Sequence, residues 1–198
     1  MAESYSFERY LNVRTANGAS FSPDGKHISF LTDISGVVEV WSVPVEMTAE
    51  VAAWRERLTL GGERVVSATF APTGDMLLVS DDVGGNERTQ LHTLTADGTS
   101  FRKLTDRPEV IYQFGDWSAD GTRITYASNE RDNRFFDVYE RPVAGGEPGL
   151  LLQEDGSNYA RRYSGDGRFV LAERFDFEHR QSTISRGPNN GRGADPDA

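Results

Sequence analysis

The chain has 198 residues, with 21 Lys and Arg against 31 Asp and Glu, a formal net charge of −10 and 37% hydrophobic residues. That apolar share, augmented by 20 glycines, excludes a wholly disordered polypeptide, and the length suits one domain or one and a part. The acidic balance argues against a dedicated nucleic-acid binder, the lack of cysteine excludes a disulfide framework or thiolate metal site, and no run of about 18 apolar residues is available to span a membrane. The opening residues, Met1 to Tyr10, carry acids early and no apolar signal core, so a cytoplasmic location is expected.

In chain order, Ser6 through Leu11 suits one helical turn with Ser6 as N-cap. A repeat then begins. Four segments align: Ala19–Phe30, Ala68–Val79, Gly115–Tyr126 and Arg161–Ala172. Their shared aromatic falls at Phe21, Phe70, Trp117 and Tyr163, and their shared glycine at Gly25, Gly74, Gly121 and Gly167, both stepping by 49, 47 and 46 residues. In each, an aromatic ends one strand, a Pro-Asp-Gly-like turn follows, and a second strand returns. Glycine supplies the positive φ, and aspartate bonds its own backbone.

A third strand is expected over 38–45, 89–94 and 136–143, where apolar and polar residues alternate. A short fourth is expected over 57–60, 102–105 and 149–152. Between the third and fourth strands of the first unit, Thr48 through Trp54 fits a short capped helix or a plain surface loop. Four antiparallel strands per 40–50 residues, repeated, is the pattern of β-propeller blades. The expected fold is all-β, a propeller fragment of three complete blades and one partial blade, near 15–62, 63–107, 108–156 and 157–178. The fourth lacks recognisable third and fourth strands. Residues 179–198 hold a single large apolar residue, Ile184, and are expected to be disordered.

Several stretches resemble the prolyl oligopeptidase family of serine peptidases, in particular its acylaminoacyl-peptidase and dipeptidyl-aminopeptidase-like members. They are Glu8–Arg14, Phe21–Gly25, Val40–Pro44, Gly84–Leu91 and Ala127–Asn129. The resemblance extends over residues 5 to 178 and implies an N-terminal propeller that gates peptide access to an α/β-hydrolase domain carrying a Ser-Asp-His triad. That hydrolase domain is the implied partner in full-length relatives. No Gly-x-Ser-x-Gly elbow occurs in the chain, so no catalytic residue is assigned, and no cofactor or metal is expected. On its own the chain is expected to be inactive. A stand-alone protein-interaction module, or a chain working beside a separately encoded hydrolase, are the other readings.

His27, His92 and His179 have no spacing that links them to a serine and read as structural. The acidic stretches 81–87 and 130–133 offer oxygen ligands but no calcium-loop order, and read as solvated turns. Asn86-Glu87-Arg88 and Asn129-Glu130-Arg131 sit between second and third strands of successive blades. Glu87, Arg88, Glu130 and Arg131 are candidates for holding peptide termini in a substrate-gating role. The competing account has each Glu pair with its neighbouring Arg. Phe21, Trp41, Phe70, Trp117, Tyr126, Tyr139 and Tyr163 are expected to pack between blades. An unfinished propeller leaves open strand edges, so self-association is expected.

Overall fold

A computed structural model describes residues 14–46, 56–74, 76–175 and, as a strand, 180–186. The helical turns expected over 6–11 and 48–54 lie outside those residues. Among the described residues there is no helix; fifteen β-strands form antiparallel meanders. Unit I holds β1 (Ala16–Phe21), β2 (His27–Thr32), β3 (Glu39–Pro44) and β4 (Glu56–Arg57). Unit II holds β5 (Arg64–Phe70), β6 (Met76–Asp82), β7 (Gln90–Thr95) and β8 (Phe101–Lys103). Unit III holds β9 (Tyr112–Trp117), β10 (Arg123–Asp132), β11 (Phe135–Pro142) and β12 (Gly149–Leu152). Unit IV holds β13 (Ser157–Tyr163), β14 (Phe169–Phe175) and β15 (Arg180–Arg186). Units I and II are four-stranded sheets, and units III and IV are joined into one sheet by a parallel bridge, Phe136 to Ser157.

The turn chemistry repeats as its sequence dictates. Each repeat aromatic ends its strand, and Gly25, Gly74, Gly121 and Gly167 all adopt positive φ, between 68° and 80°. In three of the four turns a serine hydroxyl donates to the aspartate two residues on at 2.6 Å: Ser22 to Asp24, Ser118 to Asp120 and Ser164 to Asp166. The same serine oxygen accepts the first amide of the returning strand at 2.9–3.0 Å. Thr95-Ala96-Asp97-Gly98 reuses this design between β7 and β8, with Thr95 donating to Asp97 at 2.6 Å. These donors stabilise the ionised carboxylate. The Thr95 hydroxyl first, then the Thr99 amide, bring Asp97 down to about 2, and the Ser118 hydroxyl and Thr122 amide do the same for Asp120.

Every innermost strand carries one extra residue against its partner, at 17–20, 65–67, 114–117 and 160–162. Such bulges increase local twist, and here they recur at the edge where the units meet. Three cores separate the units. Leu31, Val40 and Leu58 of unit I pack on Phe70, Leu77 and Val79 of unit II. Leu78, Leu91 and Leu104 of unit II pack on Trp117, Ile124 and Tyr126 of unit III. Val138 of unit III packs on Ala160 and Ala172 of unit IV. Each fully buried Leu or Phe contributes about 1.5–3 kcal/mol.

A second repeated device fastens the outer strands. Leu58 and Leu104 each donate an amide to a third-strand carbonyl, that of Val40 and Leu91, at 2.8 Å. Thr59 Oγ1 and Thr105 Oγ1 each accept the amide of the same third-strand residue, Val40 and Leu91, at 3.0 and 2.9 Å.

Two expectations are corrected. Residues 180–186 form β15, antiparallel to β14 over all seven residues. A paucity of apolar side chains does not prevent this, because edge pairing satisfies main-chain donors and acceptors whatever the side chains. Residues 187–198 lie outside the described part. Phe21, expected in the core with its repeat mates, is 64% exposed, whereas Phe70, Trp117 and Tyr163 are 6–7% exposed. The buried three each face a preceding unit, and unit I has none among the described residues.

Units III and IV pack tightly at Gly115, where an added Cβ would lie 2.5 Å from Ala160 Cβ and 3.0 Å from the Ala160 carbonyl. Gly115→Ala must push the two sheets apart and is expected to destabilise by about 2–4 kcal/mol, read from the denaturant midpoint. The lowered carboxyls set an acid response. Their folded values lie below the ordinary value of about 4, so their stabilisation is complete above pH 4 and lost as pH falls through about 2. Asp120→Asn, which keeps the oxygen acceptor but does not titrate, is expected to flatten the loss of thermal midpoint between about pH 4 and about pH 2.

Candidate functional site

The antiparallel meander places the second-to-third-strand loops and the connections between units at one end of the sheets, opposite the Asp-Gly turns. Residues 83–89 form this loop in unit II. In unit III the end of β10, a tight turn at 133–134 and the start of β11 take its place. The connection from unit II to unit III, 104–111, runs beside both.

The four candidate residues divide into two classes. Glu87 and Arg88 are exposed. Glu87 is the non-glycine residue with positive φ (60°) among the described residues, and Asn86 Oδ1 accepts the Arg88 amide at 2.9 Å. Gly84 and Gly85 donate amides to Glu63 and Asp82 at 2.8 and 3.1 Å. The loop is therefore shaped by main-chain bonds to carboxylates, leaving both long side chains turned to solvent. No ion pair between Glu87 and Arg88 is present among the described residues.

Arg131 and Glu130 are committed elsewhere. Arg131 forks onto Asp137, Nε to Oδ2 at 2.6 Å and Nη2 to Oδ1 at 3.0 Å, and reaches Asp155 with Nη1 at 3.1 Å. Asp137 is fully buried, and hydrogen bonds to it hold the Arg131 guanidinium above its ordinary value. Glu130 lies 3.6 Å from Arg107 of the inter-unit connection. Burial first, and the Glu130 charge second, push Tyr112 and Tyr139 up to about 12 and Tyr126 higher still. Tyr126 stacks on Tyr139 at 5.5 Å between ring centres and meets Tyr112 edge-on at 5.7 Å. The neighbour-pairing account for Glu130 and Arg131 is thus overturned: their partners are Arg107 and Asp137.

The two Asn-Glu-Arg stretches are not equivalent in register. Asp81 pairs with Gln90 and Ser128 with Asp137, a shift of 47 in both strands, whereas Glu87 and Glu130 differ by 43. Register instead matches Glu39, Gln90 and Asp137, the buried polar residues at or near the start of each third strand. Glu39 is held by Arg57 at 2.5 Å, and Gln90 by Thr105, which donates at 3.0 Å. The sequence carries no visible signal for this set, because Glu, Gln and Asp share no residue type.

Sequence reasoning also missed the surroundings of His92. Its Nε2 lies 2.8 Å from Asp81 Oδ1, its ring stacks on Phe101 at 4.6 Å, and its buried Nδ1 has no hydrogen-bond partner. These side chains line a cavity of about 540 Å³ with Leu58, Val65 and Val83. The pair is joined across β6 and β7, which the spacing of 11 residues does not advertise. His27 is exposed on β2, and His179 lies outside the described residues. Among the described residues no group of three or more His, Asp or Glu side chains is arranged to hold a metal ion.

No family model matches the chain. It is 28% identical over 180 residues to dipeptidyl aminopeptidase BIII of Pseudoxanthomonas mexicana, a match covering 90% of this chain and 25% of that protein. The chain therefore spans about a quarter of the length of that relative. Among solved structures, a prolyl endopeptidase superposes with a TM-score of 0.68 at 14% identity, covering 91% of this chain and 27% of the other. TolB from Acinetobacter baumannii superposes with a TM-score of 0.61 at 22% identity, covering 84% of this chain and 39% of the other. Peptidases of the prolyl oligopeptidase kind and TolB-like propellers are thus among the proteins this chain resembles, matched over most of this chain but over part of their own length.

Replacing Arg131 with Ala strands the buried Asp137 carboxylate and is expected to cost about 3 kcal/mol, whereas Arg88→Ala is expected to change stability by under about 0.5 kcal/mol. Paired urea denaturation curves compare the two.

Proposed function

We propose that this chain is a non-catalytic propeller portion of a peptidase of the prolyl oligopeptidase type, built of three four-stranded blades and a fourth, three-stranded one. The observation that carries this reading is the match to a quarter of a dipeptidyl aminopeptidase by nearly the whole of this chain. The repeated hairpins, the unit-on-unit cores and the peptidase-like superposition support it. In such a protein an α/β-hydrolase domain is the partner, and the propeller restricts which peptides reach it.

The loop end of the units is the surface suited to that task. Glu87 and Arg88 are the two candidates that are exposed and make no ion pair among the described residues, so a carboxylate for a peptide amino terminus and a guanidinium for a carboxylate stand on one loop. Glu130 and Arg131 order the neighbouring loop through Arg107 and Asp137 instead.

The purified chain is expected to hydrolyse acyl-aminoacyl and dipeptidyl anilides no faster than buffer. Turnover that persists through repeated purification would overturn the non-catalytic reading. The gating role has its own measurement: titration with a short dipeptide is expected to move the amide resonances of 86–88, and Arg88→Ala to abolish the movement. Unmoved resonances would remove the role from this loop.

A further inference from the structure

The face of unit II that meets unit I changes character toward its outer strands. Near the inner edge, Leu77, Val79 and Leu94 pack on Leu31, Val40 and Leu58 of unit I. Farther out the same face carries Asp81, His92 and Lys103, as register requires: His92 stands opposite Val79 on one side and Lys103 on the other, and Asp81 is two residues on from Val79. Here the cavity of about 540 Å³ opens between this face and the connection 58–65. Its described walls all fall between Leu58 and Pro108, so it belongs to the junction of units I and II and to neither end of the unit series.

At the next junction larger side chains take the equivalent place. The shift of 47 residues carries Val79 and His92 onto Tyr126 and Tyr139, whose rings stack at 5.5 Å, and carries Asp81 onto Ser128. The cavity therefore coincides with two smaller side chains and with a carboxylate that the neighbouring junction lacks. The charges around it are unequal. Lys103 is paired with Asp106 at 3.3 Å, and Arg107 with Glu109 at 3.0 Å. Asp81 gives Oδ1 to His92, and Glu63 gives Oε2 to the Gly84 amide. The second oxygen of each carboxylate accepts no hydrogen bond among the described residues. His92 is 4% exposed and its Nδ1 has no partner. With Nε2–H donated to Asp81, Nδ1 of a neutral ring is an acceptor, so every uncommitted group here asks for a donor.

We infer that this cavity binds a small organic ammonium with an aromatic body, its charge on Asp81 and its ring among Leu58, Val65 and Phe101. The volume lies within the range of about 300–1,000 Å³ usual for small-molecule sites, which are apolar with a few convergent polar groups. Leu58 and Val65, both 4% exposed, supply the apolar wall. Phe101 already stacks on His92 at 4.6 Å and is half-exposed on its other side, so it offers a ring face to an aromatic or a cation. An ammonium gains a charge-assisted bond from Asp81. An anion of the same shape meets two carboxylates and cations that are already paired. The inference rests on the side chains of this junction and not on the peptidase reading.

The test is a titration of the methyl resonances of Leu58, Val65 and Val83 in the full chain. Phenethylamine is expected to shift all three with one dissociation constant, of about 0.1–1 mM for so small a ligand. The uncharged 2-phenylethanol is expected to bind at least about 10-fold more weakly, and phenylacetate to leave the signals in place. Asp81→Asn keeps the shape and an acceptor for His92, and is expected to weaken phenethylamine at least about 10-fold while leaving 2-phenylethanol unchanged. Phe101→Ala, at a half-exposed position of the outermost strand, is expected to weaken both. The three probes on the unaltered chain decide the charge preference even where a variant folds poorly. Phenylacetate binding as tightly as phenethylamine overturns the inference, as does an amine affinity that Asp81→Asn leaves intact. Methyl signals that no probe moves also overturn it, the outcome expected if residues 47–55 of the chain itself fill the cavity.

Discussion

Everything in this molecule depends on one contact made three times, an aromatic at the end of an innermost strand covered by the neighbouring unit. A single four-stranded meander has two broad faces and too little apolar area to hold itself together in water. Stacking the meanders buries Leu31 and Val40 on Phe70, and Leu78 and Leu91 on Trp117. Stability therefore belongs to the junctions between units rather than to any unit, as in other repeat architectures. The bulge in each innermost strand and the missing side chain at Gly115 serve that contact, since both govern how closely one inner strand approaches the next.

The polar groups follow the same logic. Burying whole sheet faces also buries carboxylates, and each is matched. Arg57 holds Glu39, Arg131 holds Asp137, and Arg123 and the Tyr163 hydroxyl share Glu140. Leaving one unpaired would cost more than the pair contributes. Much of the charge in the sequence is consequently structural. At the loop end the amides of Gly84, Gly85 and Arg88 bond side-chain oxygens of Glu63, Asp82 and Asn86, and Glu87 and Arg88 are left outward.

That division explains how the peptidase likeness bears on function. The relatives share the frame of stacked units over a part of their length. A frame of this kind hosts unrelated activities, so the activity must be argued from a site. The site proposed for this chain is the exposed loop with opposite charges on adjacent residues.

The sequence by itself determined the repeat, the strand order and the turns. Aromatic and glycine recur at 46–49-residue steps, and Ser-x-Asp-Gly closes a hairpin through contacts no more than five residues apart. Local chemistry of that kind is legible because neighbours in sequence are neighbours in space. The tertiary structure decided what depended on distant partners. It showed that Arg131 belongs to Asp137 and Asp155, that the two Asn-Glu-Arg stretches fall out of register, and that His92 sits on Asp81 within a cavity. It gave 180–186 a place as an edge strand, because main-chain pairing asks little of the side chains. It also separated Phe21 from its three repeat mates. The residue type and spacing are the same, but burial depends on whether another unit stands in front of it.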